Sequence, residues 1–222
     1  MSQELVYNVD MVLCIDRTGS MSPIIDVTKK EAIRFVEETK RKLDAEGKKV
    51  NQLRIKIIYF GDYWVDGTDA MAESGFFTLP SQNSEYEAFL DKPLVGGGDE
   101  PESALEAMVL GMKSDWVSEG KTRHIIVMYT DATPHPLDKA DKPAHYPEGM
   151  PKNFSELLAL WEGQDTGLTS ASKRLFLFAP ETEAWNNIYE NFPNTIHLGT
   201  KGGAGLADIS LDDVIDQIVA SV

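Results

Sequence analysis

The chain has 222 residues, 42% hydrophobic and 26% charged, a balance that suits one α/β domain with a well-filled core and excludes a disordered or fibrous chain. Its formal charge of −15, spread along the whole length, repels phosphate backbones and argues against a nucleic-acid partner. The longest apolar stretches fall far short of the roughly 20 residues that a bilayer span needs, and a lone cysteine, Cys14, excludes an intrachain disulfide.

The amino-terminal MSQELVYNVD has no basic segment leading into an apolar one, so no secretion signal is expected; with Cys14 inside an apolar run, the expected compartment is the cytoplasm. VDMVLCI (9–15) reads as the first strand. A helix is predicted from about Ile24 to Leu43, with Ser22 as N-cap, Pro23 as first helical residue, Asp26 in the first turn and Gly47 as its stop. Ile25, Ala32, Val36 and Leu43 would share its buried face.

LRIKIIYF (53–60) reads as a second strand, MAESGFFTL (71–79) as a short extra strand near an edge, and helices are expected at Ser84 to Asp91 and Pro101 to Val117. HIIVMYT (124–130), RLFLFA (174–179) and NTIHLG (194–199) supply further strands, separated by helices at Asn153 to Glu162 and Glu183 to Asn191 and followed by one at Leu211 to Val222. The stretch 133–151, rich in Pro and carrying His135 and His145, reads as a long surface loop. Nearly continuous apolar strands alternating with helices imply a doubly wound, mostly parallel, Rossmann-like sheet covered on both faces, with residues 1–222 as a single domain. Ligands of such sheets bind outside the carboxyl ends of the strands.

Two strand ends carry acids there, Asp16 after the first run and Asp131 after IIVMYT. Thr18 and Ser20 follow Asp16 at spacings of two and four, and Gly19 lets the chain curl between them. A hard divalent cation such as Mg²⁺ takes about six oxygen ligands from carboxylates, hydroxyls and water. Asp16, Thr18, Ser20 and Asp131 offer that chemistry, and a glycine-rich loop, VGGGDEPESALEAM (95–108), adds Asp99 as a further oxygen donor. Ca²⁺ and Mn²⁺ suit the same donors.

With these residues in place the sequence resembles the von Willebrand factor A (vWA) domain family over nearly its full length. The metal-ion-dependent adhesion site of that family combines D-x-S-x-S after the first strand, a Thr or Asp in a middle loop and an Asp after the fourth strand. Asp16, Thr18 and Ser20 align with the first element, Asp99 with the second, and Asp131 in MYTDATP with the third; GGGDEPESALEAM looks more like intracellular and bacterial members than like integrins. The resemblance implies a metal-dependent protein-binding or scaffolding module with an unidentified protein partner, no membrane and no catalytic residue. Thr18 keeps the hydroxyl of Ser. Asp99 in place of Thr adds a third carboxylate, which would tighten the cation and weaken its appetite for an acidic partner.

DRTGS also resembles the DKTGT phosphoaspartate motif of P-type ATPases and haloacid dehalogenase-like enzymes, and FGDYWVD mimics their acidic motif. In that family the acidic motif comes last, whereas Gly61 and Asp62 follow the second strand, and Thr18 stands where the phosphatases carry a second Asp. GTKGGAGLAD (199–208) fails the dinucleotide pattern, because its third glycine would fall at Asp208. His135 and His145 match no zinc spacing and are expected to be solvated, while His124 and His197 are expected to be structural. Asp62 and Tyr63 would reach the same rim as Asp16, to shape it or to cap the turn; Trp64, Phe76 and Phe77 are expected in packing.

Overall fold

The computed structural model describes residues 6–21, 34, 38–93, 100–200, 216, 219 and 220, with Ser20 and Thr200 described by backbone alone. Seven strands form one sheet: β1 (Val6–Asp16), β2 (Lys49–Phe60), β3 (Met71–Glu73), β4 (Phe77–Leu79), β5 (Lys121–Tyr129), β6 (Lys173–Pro180) and β7 (Thr195–Thr200). Their order is β3-β2-β1-β5-β6-β7, with β4 also on β2. The pairs β1/β2, β1/β5, β5/β6 and β6/β7 are parallel. β3 and β4 run antiparallel to β2, so MAESGFFTL forms two short strands instead of one.

Alternate residues along the parallel strands enter two separate cores. Met11, Leu13, Ile15, Ile125, Val127, Phe176 and Phe178 face one side, where Leu43, Tyr86, Leu90 and Val219 cover them. Val12, Cys14, Ile126, Met128, Leu175 and Leu177 face the other. There they meet helices α2 (Ala104–Met112), α3 (Phe154–Trp161) and α4 (Glu183–Asn191). Helix α1 (Asn83–Leu90) carries Tyr86 and Leu90 on the first side. This two-sided burial is the physical reason for uninterrupted apolar runs, and the expected doubly wound sheet is present.

Local chemistry fixes several element ends. The helical segment 38–45 stops in a Schellman motif: Gly47 adopts φ +71° and its N–H reaches Asp44 O, while Lys48 N–H reaches Leu43 O. Asn153 caps α3, its side chain accepting from Glu156 N–H at 2.9 Å. Helix α2 starts at Ala104 and not at Pro101, because Glu102 is still extended and bridged to Pro134. Ser22, Pro23, Asp26, Ile25, Ala32 and Val36 lie outside the described residues, as does most of the final predicted helix. No helix among the described residues is long and apolar enough to cross a membrane.

Candidate functional site

The chain passes from β1 to β2 on one side and later returns to β5 on the other, so the sheet reverses direction at β1. Ile15 pairs with Tyr129, which puts the carboxyl ends of β1 and β5 side by side at the crevice where open α/β sheets take ligands.

Asp16 closes β1 with no exposed surface. Its Oδ1 accepts from the Thr18 backbone N–H at 2.9 Å and from Thr18 Oγ1 at 2.7 Å. Its Oδ2 accepts from Thr130 Oγ1 at 2.8 Å, and the Thr130 hydroxyl in turn accepts from Ala132 N–H at 3.1 Å. The Asp-x-Thr turn leads into a short 3₁₀ helix, Gly19–Met21. Burial pushes the Asp16 pKa up to about 6; the Thr18 and Thr130 bonds oppose that rise and the charge of Asp131 adds to it. Asp131, two residues beyond β5, is itself buried.

A third acid stands at this rim, and the sequence reading missed it. Glu102 is 4% exposed, and its Oε2 has no hydrogen-bond partner among the described residues. Burial raises its pKa to about 9, and the charges of Asp16, Asp62, Asp66 and Asp131 add to the rise. Its backbone N–H donates to Thr133 O at 3.0 Å and its carbonyl accepts from His135 N–H at 2.9 Å, which fastens it beside the end of β5. The available signal was its place just before a helix at the end of the glycine-rich loop. Asp99, three residues earlier, lies outside the described residues, as does the side chain of Ser20. Thr130, the other unforeseen member, precedes Asp131 directly.

The expectation of a solvated His135 is corrected. It is 3% exposed and its Nε2 lies 3.0 Å from Asp62 Oδ1, because the backbone bridge at Pro134 turns the start of the loop inward. His145 is exposed, with Nε2 2.9 Å from the Tyr63 carbonyl. Asp62 both caps its turn, accepting from Trp64 N–H at 2.9 Å, and meets His135. Trp64 packs on His135 and Tyr146, Phe76 on Trp116, and Phe77 on Tyr86 and Phe89. His124 is a buried structural residue, bonded to Val117 O at 2.8 Å.

Among the described residues no three His, Cys, Asp or Glu side chains gather closely enough to hold a metal ion by themselves. A cation here would therefore rely on hydroxyl and water oxygens beside the acids, the mixture that Mg²⁺ favours. The unpartnered Oε2 of Glu102, buried within electrostatic range of Asp16 and Asp131, fits such an ion.

No family model and no curated protein matches the chain. Solved structures do. The pilus adhesin SpaC from Lactobacillus rhamnosus GG, in its open conformation, superimposes with a TM-score of 0.56 at 12% identity over 95% of this chain and 30% of the adhesin. A second form of that adhesin gives a TM-score of 0.58 at 12% identity and the same coverage. Proximal thread matrix protein 1 from the mussel byssus gives 0.53 at 9% identity over 96% of this chain and 45% of that protein. The chain thus spans less than half of each of these proteins, and at such identities the likeness shows the fold alone.

Proposed function

We propose that the chain is a divalent-cation-dependent protein-binding or scaffolding module of the vWA kind, acting in the cytoplasm without catalysis. The observation that carries the reading is a buried aspartate at the sheet's switch point, held by hydroxyls and a backbone amide, with the orphaned Glu102 oxygen in electrostatic range. Asp16 and Asp131 would anchor the ion directly or through water, Thr18 and Ser20 would offer hydroxyls, and Glu102 or Asp99 would bring the third carboxylate. The ion, when bound, supplies a positive centre for an oxygen of the partner. The fold likeness to an adhesin and a matrix protein accords with a binding role.

Calorimetric titration of Mg²⁺, Ca²⁺ and Mn²⁺ into metal-stripped protein tests this. Wild type should bind at least one ion, and Asp16→Ala should bind none while remaining folded. An Asp16→Ala variant with wild-type affinity would sink the assignment. Phosphatase or ATPase turnover that depends on Asp16 would instead support a haloacid dehalogenase-like phosphoaspartate enzyme. Glu102→Gln should weaken the ion more than Asp99→Thr; the reverse order would return the third carboxylate to Asp99.

A further inference from the structure

Glu102 and its neighbour Ser103 are gripped from two sides. The loop after β5 holds Glu102 through the Thr133 carbonyl and the His135 N–H, at 3.0 and 2.9 Å. The loop after β2 holds Ser103: its N–H donates to Gly61 O at 3.0 Å, and its Oγ accepts from Tyr63 N–H at 3.0 Å. The two loops then meet through side chains, with His135 Nε2 3.0 Å from Asp62 Oδ1 and both groups 3% exposed. Asp62, Gly61, Ser103, Glu102 and His135 therefore form a closed ring of covalent and hydrogen bonds.

The imidazole in that ring is held at Nε2 by Asp62. A carboxylate accepts, so Nε2 carries the proton toward Asp62, while Lys139 Nζ lies beside the ring, 3.0 Å from Nδ1 and 3.3 Å from Nε2. Lys139 is steadied in turn over the Trp64 ring, 4.0 Å from its centroid. Glu102 Oε2 has no hydrogen-bond partner among the described residues, so the place of the carboxylate depends on its backbone and on the packing around the side chain.

We propose that His135 is a positioning residue for the cation site: by closing the ring through Asp62 it fixes the Glu102 backbone and so the direction of the Glu102 carboxylate. The proposal rests on the cation reading given above. Groups that orient a ligand from behind govern affinity nearly as strongly as the ligands themselves.

Two measurements test it. In Mg²⁺ and Mn²⁺ titrations, His135→Ala should weaken binding roughly 10- to 100-fold. His135→Gln, whose side-chain amide can donate to Asp62 from the place of Nε2, should restore wild-type affinity. Tyr146→Phe loosens the same 133–151 loop elsewhere and should leave affinity unchanged. In metal-free protein, amide hydrogen exchange at Glu102, Ser103 and His135 should quicken in His135→Ala and slow again in His135→Gln. Wild-type affinity in the alanine variant, or a glutamine variant no better than alanine, would overturn the role. If wild type binds no cation, the cation reading fails and the exchange arm alone decides whether His135 holds Glu102; equal protection in all three proteins would remove that as well. Should the alanine variant not fold, His135→Asn, too short to reach Asp62, takes its place in both comparisons.

Discussion

Asp10 and Asp16 stand on the same strand and the same face, both without exposed surface, yet their surroundings differ in kind. At the amino end, Asp10 meets the guanidinium of Arg54 in a two-pronged pair, 2.7 Å to Nε and 2.6 Å to Nη2, and accepts from Val117 N–H at 2.7 Å. Arg54 also donates to Asp115 O and lies over the Phe76 ring, 4.5 Å from its centroid. At the carboxyl end, the partners of Asp16 among the described residues are hydroxyls and one amide, with Asp131 adding like charge. One buried acid is neutralised from within the chain; the other is oriented and left with its charge unbalanced. Orientation without neutralisation is what a site for an external cation requires.

The largest expected effect comes from breaking the satisfied end. Arg54→Met leaves Asp10 buried against an apolar side chain and should lower the unfolding free energy by about 3–5 kcal/mol, read by urea denaturation. Asp16→Asn, measured in metal-free buffer, removes a charge that has no cationic partner among the described residues and should cost less than about 1 kcal/mol. Equal losses in the two variants would erase the distinction between the ends.

A smaller effect concerns Glu106, on the same side of the sheet. It is fully buried in α2; Oε1 accepts from the Tyr146 hydroxyl at 2.5 Å while Oε2 has no partner among the described residues. Burial holds its pKa above the ordinary 4.5, with the Tyr146 bond and the charge of Lys142 opposing the shift. The native state therefore keeps a proton that the unfolded chain has already lost, and stability falls as pH rises above 4.5. Glu106→Gln keeps an acceptor for Tyr146 and carries no proton to lose, so it should be more stable than wild type at neutral pH. That gap should close as pH falls below the ordinary carboxylate range, in denaturation curves taken at several pH values.

The sheet was legible because its burial is written residue by residue: parallel strands covered on both faces leave little room for polar alternation. The strand ends bearing Asp16 and Asp131 followed from the same runs. Helix α2 was overextended because Pro101 is a good first helical residue, whereas Glu102 is recruited by Thr133 and His135, more than thirty positions later. His135 was misplaced for the same reason, since a histidine between two prolines carries no local sign of the aspartate after β2. Glu102 and Thr130 were missed because their contribution depends on which loops meet, and local periodicity does not encode loop meetings.

The hydrogen bond between Thr130 and Asp16 spans 114 positions of sequence, and β1 can pair with β5 only after that length of chain has been gathered. Contacts of such separation slow folding. The rim exists only once β1 and β5 are paired, so anything that binds there meets folded protein. Such a ligand raises apparent stability by mass action. Occupancy of the rim would then report on the integrity of the whole sheet.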